Sequence, residues 1–330
     1  MTKHALLIVG SRTAENRYGV ISGQRVATAL SSRGWSISTI HATDGHDILR
    51  HLLTQPTDVV VPVGFGAPTE TGDIAAISRL VGVPCAGPSP SVGNLIQDKE
   101  AFSRLVATMF LPETMVRSPV GFSINPDTTG EEMRSQIARL SPPFLIKPNF
   151  SGSSEGLLIT SLMSEALQLA KSLLAHEGKV LIQELEQEIR NEISITMLDA
   201  EVGPILLPIV ELRRDDVAIM GVEEKFGSDS LGRHIIPARL DPASIQRIEQ
   251  AAIAIRQKIG PVGLSRIDAL VLASGEIVIL EMNGIAGLLP TSIACDAARA
   301  AGMDFADLAE GYLATAYVNR PEPCNNGLAG

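Results

Sequence analysis

One stretch, Ser265–Ser292, constrains this chain more than any other. It reads SRIDALVLASGEIVILEMNGIAGLLPTS. The pattern predicts two antiparallel strands, Ile267–Leu272 and Ile277–Met282, joined by a turn over residues 273–276. Along the second strand Glu281 and Asn283 are two residues apart and share a face. The hairpin can bring Asp268 opposite them. Two carboxylates and an amide oxygen make a hard-oxygen cluster of the kind Mg²⁺ takes, with substrate phosphates completing its shell. Carboxylates among Ile, Val and Leu are costly to bury without a cation. Arg266, two residues from Asp268, supplies a cation on the same face. An Asp and a Glu held by Arg266 in a plain ion pair meet that cost equally well. The stretch alone leaves both readings open.

The remaining chain carries more context. Its 330 residues suggest two or three packed lobes, and 45% hydrophobic residues with only 4% aromatic ones make the core aliphatic. A net charge of −10 without a basic run argues against nucleic acid or an anionic membrane as partner. Cys85, Cys295 and Cys324 are odd in number and lack metal-site spacing, which fits a reducing cytoplasm. The opening MTKHALLIVGSR reads as a first strand rather than a signal peptide, and no apolar run reaches the ~18 residues of a membrane span.

Residues 1–112 form the first expected lobe. Strands at Ala5–Val9, Ser36–His41 and Asp58–Val63 alternate with helical patterns at Ile21–Ser32 and His46–Gln55, and a short strand is expected at Val83–Ala86. This rhythm implies a parallel sheet with right-handed crossovers, its most apolar strand, Asp58–Val63, in the centre. Ligands bind beyond the carboxyl ends of such strands. There the chain places Gly10–Val20, with Glu15 and Arg17, and Gly64–Gly72, with Glu70. Gln97-Asp98-Lys99 opens an apolar-periodic segment. Lys99 at a helix start opposes the macrodipole and hints at an anionic ligand nearby.

A second lobe is expected over residues 113–185. A capped helix at Thr129–Leu140 is followed by a buried strand, Phe144–Ile146, with Lys147 at its end. The Gly/Ser loop Phe150–Gly156 then leads to a strand at Leu157–Thr160. Gly permits close backbone approach, and N–H groups with Ser hydroxyls can cradle phosphate. A helix Ser164–His176 and a strand Val180–Gln183 complete the lobe. The third, residues 186–330, has strands at Glu192–Leu198 and Val202–Val210, a long charged segment Glu211–Ile236, and a helix Pro242–Ile259 capped by Asp241. The hairpin follows, then a helix at Thr291–Ala301 whose first turn, with Ser292, favours an anion.

Taken together, SRTAENRYGVISG, the Gln97-Asp98-Lys99 triplet, FLIKPNFSGSSEG, Glu223-Glu224-Lys225-Phe226, GLSRID and LEMNGIAG with Thr291-Ser292 resemble the D-alanine–D-alanine ligase family, over nearly the whole length. The resemblance implies an α/β, three-lobed ATP-grasp fold with an N-terminal parallel-sheet domain. It implies ATP between the second and third lobes. Lys99 and Lys147 would hold its phosphates, with Ser153 and Ser154 closing over them and Lys225 reaching the terminal one. Gln183, Glu184 and Leu185 would meet the adenine and Glu192 the ribose. Asp268, Glu281 and Asn283 would hold two Mg²⁺ ions, or Mn²⁺ in their place. Glu15 would hold the first substrate's amino group, Arg266 and the Gly287 backbone the reacting oxygens, and Ser292 the second carboxylate. The implied reaction phosphorylates a carboxylate and lets an amine displace the phosphate. The partners expected are amino acids and a second copy of the chain in a homodimer.

Three departures touch the substrate side. The family's HGxxGEDG motif has Phe65 in place of its His, its Lys-Tyr is Lys225-Phe226, and its NTxPG is replaced by Asn283-Gly284-Ile285-Ala286-Gly287. The alternatives are therefore a ligase for other amino acids in secondary metabolism and a D-alanine–D-lactate-type ligase. A kinase that stops at the phosphorylated carboxylate and a catalytically silent nucleotide-binding protein are rivals of another class.

Overall fold

The computed structural model describes residues 3–11, 15–150, 152, 156–213 and 234–318. In its first part β1 (His4–Val9) lies between β2 (Ser36–His41) and β3 (Val59–Val63), all parallel. Among the named strands the central one is thus β1, and the more apolar β3 has its second neighbour only in the 84–86 segment. The expected strand at Val83–Ala86 contributes only a parallel bridge, Cys85 to Val60. β3 is nonetheless fully buried, because the C-terminal helix of the described chain covers it and Tyr312 donates to the Pro62 carbonyl at 2.8 Å. Helix α1 (Asn16–Ser32) starts five residues before its expected start at Ile21. Gly19 and Gly23 dilute its pattern but serve close approach. A Cβ on Gly19 would stand 3.0 Å from the Gly10 Cα and 3.3 Å from the Gly64 Cα. Tertiary contact outweighs propensity there.

After α2 (Gly45–Thr54) and β3 come two helices without a forecast, α3 (Asp73–Leu80) and α4 (Pro90–Gln97). The start signal of α4 stands in the sequence: Ser89 caps it and Pro90 occupies its first turn. α5 (Lys99–Met109) begins where the Gln97-Asp98-Lys99 triplet suggests, with the Asp98 side chain accepting from the Ala101 N–H at 3.0 Å. Val92, Ile96, Phe102 and Val106 enter one core with residues of the hairpin strands.

The second sheet runs β5–β8–β6–β7, from β5 (Gly121–Ile124), β6 (Phe144–Pro148), β7 (Leu158–Thr160) and β8 (Val180–Glu184), all antiparallel. Helices α6 (Gly130–Ile137) and α7 (Met163–Leu174) cover it with Met133, Ile137, Ala166 and Ala170. Thr129 and Glu132 form a reciprocal capping box on α6.

The third sheet has the order β12–β11–β9–β13–β14–β4, with β10 paired to β9. Its strands are β4 (Val116–Arg117), β9 (Ile189–Leu198), β10 (Ile205–Leu206), β11 (Val210–Leu212), β12 (His234–Ile235), β13 (Leu264–Leu272) and β14 (Ile277–Asn283). The strand expected over Val202–Val210 is split into β10 and β11. Pro204 and Pro208 lack the N–H a continuous ladder needs. Helix α8 (Pro242–Ile259) matches its expected span and buries Ile248, Ala252 and Ile255. The described residues end with α9 (Ile293–Ala300) and α10 (Phe305–Val318), the latter packed among residues of the first sheet. No helix among the described residues is long and apolar enough to cross a membrane.

Candidate active site

The hairpin places the central residues as its alternation demands. In the β13–β14 ladder Asp268 pairs with Glu281 and Arg266 with Asn283. Arg266 grips Asp268 with both ends of its fork, Nε to Oδ1 and Nη2 to Oδ2, each at 2.7 Å. Ser194 on β9 donates to Oδ1 at 2.6 Å and the Asn283 amide to Oδ2 at 3.1 Å. Four donors therefore occupy the roughly four lone-pair sites of one carboxylate. Burial alone would lower the pKa of Arg266, but the charge and hydrogen bonds of Asp268, with Glu281 and Glu70 adding, outweigh it and hold the guanidinium charged. Glu281 adds its charge beside that pair. It faces Lys99 at the start of α5, 3.7 Å from Oε2 to Nζ.

These residues fit Mg²⁺ by donor type, two carboxylates and an amide oxygen on one face. Among the described residues no three His, Cys, Asp or Glu side chains are grouped as a metal site. Asp268 would have to exchange one of its donors to ligate an ion. Asn283 is the natural one, because turning its amide over replaces Nδ2 by an oxygen.

A second cluster borders the first. Glu70 is buried and accepts from the Gly66 N–H at 2.6 Å and the Ile285 N–H at 3.3 Å, tying the loop after β3 to the loop after β14. Burial pushes its carboxyl up to about 7, against the two N–H donors; Glu15 adds to the rise and Arg266 opposes it. Glu15 is buried just before α1, and a Cβ on Gly152 would lie 3.0 Å from its Oε2. Gly152 thus lies against the Glu15 carboxylate. A Cβ on Gly287 would lie 2.8 Å from the Ser292 hydroxyl and 3.8 Å from the Phe65 ring. Ser292 precedes α9, but its Oγ accepts from the Leu289 N–H at 3.0 Å and makes no side-chain cap. The departure Phe65 and the candidates Gly287 and Ser292 therefore stand together.

On the second sheet Lys147 lies on β6 opposite Leu181 of β8. Gln183 is buried, and the Glu184 carboxylate accepts from the Ser141 N–H at 2.7 Å. The Leu185 N–H donates to the Pro143 carbonyl at 2.8 Å. Glu192 lies on β9 opposite Leu270. Lys225, Phe226, Ser153 and Ser154 lie outside the described residues.

Two participants escape a reading of the sequence. Ser194 is one more alternating residue of β9, with nothing to mark it. Arg25, on α1, donates to the Leu288 carbonyl and lies 3.9 Å over the Phe305 ring, holding the loop of Gly287 from behind. Its one signal is a charge on an otherwise small and apolar helix face.

A family model described as D-ala D-ala ligase C-terminus matches residues 121–313, more than half of the chain. The chain belongs to the D-alanine–D-alanine ligase family. By that membership it is an enzyme, an ATP-dependent ligase that forms a peptide bond. Similar relatives are the D-alanine–D-alanine ligases of Gloeobacter violaceus, 28% identical over 92% of this chain and 95% of its own, and of Desulforudis audaxviator, 27% identical over 94% and 97%. Among solved structures, D-alanyl-alanine synthetase A from Vibrio cholerae superposes with a TM-score of 0.79 at 17% identity, over 97% of this chain and 100% of that one. The VanG D-Ala:D-Ser ligase from Enterococcus faecalis gives 0.76 at 20%, over 96% and 100%. At these identities the superpositions speak for the fold, an ATP-grasp architecture.

Proposed function

We propose that the chain joins two molecules of D-alanine, with ATP converted to ADP and phosphate. The observation that carries this is the meeting of three loops. Those holding Glu15, Phe65–Glu70 and Ile285–Ser292 come together beside the Arg266–Asp268 and Lys99–Glu281 pairs, in a chain whose relatives of nearly full coverage are D-alanine–D-alanine ligases.

In the first step a carboxylate oxygen of one D-alanine attacks the terminal phosphorus of ATP, and the bond to ADP breaks. In the second the amine of the other D-alanine, having lost a proton, attacks the acyl carbon and phosphate leaves. Both steps pass through states rich in negative charge, and cations fixed in advance stabilise them without reorganisation. Arg266, held by Asp268, and Lys99, held by Glu281, are such cations. The Gly287 N–H would donate to the developing oxyanion. Glu15 would orient the first amino group and Ser292 the second carboxylate. Lys147 would face the phosphates, and Gln183, Glu184, Leu185 and Glu192 the nucleoside. Asp268, Glu281 and Asn283 would hold Mg²⁺, which supplies charge neutralisation along the phosphates.

The test is kcat/KM for D-alanine against D-serine, D-lactate and L-alanine, with ATP and Mg²⁺ and with the product read by mass spectrometry. D-alanyl-D-alanine is expected as the best product. A higher kcat/KM for any other pair overturns the substrate assignment.

A further inference from the structure

The catalytic reading uses Lys99 and Lys147 but leaves unexplained the dense polar network packed between them. Lys179, just before β8, places Nζ 3.0 and 2.8 Å from the two Asp98 oxygens and 3.0 Å from Glu100 Oε2. Asn149, just after β6, is wholly buried. Its Oδ1 accepts from the Glu100 N–H at 3.1 Å, its Nδ2 donates to Asp98 Oδ1 at 3.0 Å, and its own N–H donates to the Lys179 carbonyl at 3.0 Å. Glu100 also accepts from the Ser123 N–H on β5 at 3.3 Å and from the Ser123 hydroxyl. Burial opposes the charge on Asp98, Glu100 and Lys179, yet their mutual bonds win and hold all three ionised.

A helix cap requires only Asp98. The surplus has a geometric meaning. Lys99 sits between the two clamped carboxylates, and Lys147 is two residues before the clamping Asn149. The far side of α5 packs Phe102 and Val106 into the core beneath β14, which carries Glu281. The network therefore joins the second sheet to the base of the hairpin through one helix turn.

We propose that Asp98, Glu100, Asn149 and Lys179 form a clamp that sets the spacing of Lys99 and Lys147, and so the affinity for the phosphates of ATP. This rests on the reading of these two lysines as phosphate ligands. Asp98, Asn149 and Lys179 are positioning residues, acting through the lysines beside them. A network that merely glued the parts together would lower stability and leave ligand preferences alone.

The test measures binding of ATP and its non-hydrolysable β,γ-imido analogue, with Mg²⁺, by calorimetry, together with KM for D-alanine. It compares the native chain with Asp98→Asn, Lys179→Met and Lys179→Arg. Asn caps a helix about as well as Asp, so Asp98→Asn weakens the clamp while sparing the helix start. Asp98→Asn and Lys179→Met are expected to weaken nucleotide binding roughly tenfold, within the usual range of coupling between sites. KM for D-alanine should stay put, and Lys179→Arg should recover most of the loss. Native nucleotide affinity in folded Asp98→Asn overturns the clamp, as does an equal rise in KM for D-alanine. Should Lys179→Met fail to fold, Asp98→Asn decides. A native chain that binds neither nucleotide refutes the ATP reading itself, a result distinct from native-like affinity in the variants.

Discussion

Glu281 and Asp268 are both acidic residues on one sheet face, yet their surroundings predict different consequences of removing their charge. Asp268 neutralises the Arg266 fork and receives Ser194 and Asn283. Asp268→Asn leaves a largely buried guanidinium underpaired, and about 2–3 kcal/mol of stability should go with it, somewhat less than for a fully buried pair. Glu281 makes a longer contact, 3.7 Å, with Lys99. Glu281→Gln should leave the melting temperature within a degree or two, as roughly ±0.5 kcal/mol implies, yet cut turnover roughly 10²–10³-fold, the cost of losing one preorganised charge. Urea denaturation alongside kcat separates the two; near-native turnover in Glu281→Gln would remove it from the site. Glu70 carries a prediction of a different kind. Its carboxyl is raised from 4.5 to about 7. A raised carboxyl favours folding when protonated, so its contribution is complete below about pH 4.5 and is lost as pH rises through 7. That loss amounts to about 3 kcal/mol at ~1.4 kcal/mol per pH unit. The stability of the native chain minus that of Glu70→Gln should fall by that amount across the window and be flat outside it. A difference independent of pH would contradict the burial argument.

Among the elements, the contact of β1, α1 and β3 shows how backbone packing aims side chains. Gly64 follows β3, and a Cβ there would fall 2.1 Å from the Gly10 carbonyl oxygen. Gly64→Ala must push apart the two loops that bear Glu15 and Phe65. It should cost about 1–3 kcal/mol, as overpacking does, and raise KM for the amino acid more than KM for ATP. Equal effects on both constants would show that the contact serves only stability. The same contact explains a misreading. The start of α1 is hidden in the sequence because Gly19 and Gly23, poor helix formers, are there for the neighbours they admit. The hairpin, α8 and α5 were legible, since their burial follows period 2 or 3.6 and their starts carry Asp caps. The sheet order, with β1 rather than β3 between the other two strands, was not. Apolar content reports burial, and Tyr312 with its helix buries β3 from the far end of the chain.

For the whole molecule, the residues of the candidate site come from all three sheets and were found as motifs rather than as a pocket. Arg266, Asp268 and Glu281 stand out by the alternation of the hairpin strands, whereas Glu15, Gly287 and Ser292 take their roles from the family resemblance alone. The partners that fix them, Ser194, Arg25 and the Asn149–Lys179 network, come from distant segments, and no local pattern marks them. Since the nucleotide would touch both the second and third sheets, its binding should stabilise the chain as a unit. A gain of about 2.7 kcal/mol is expected at 100 times its dissociation constant, readable as a shift in the thermal transition. A transition unmoved by saturating ATP analogue with Mg²⁺ would count against a shared cleft. The central claim is that a carboxylate is phosphorylated and that an amine then displaces the phosphate. The most direct test supplies D-alanine labelled with ¹⁸O in its carboxylate, together with ATP and Mg²⁺, and follows the label by mass spectrometry. The acyl-phosphate route predicts one ¹⁸O in each phosphate released, matched by one D-alanyl-D-alanine. Phosphate released without label, or with no peptide formed, would contradict it.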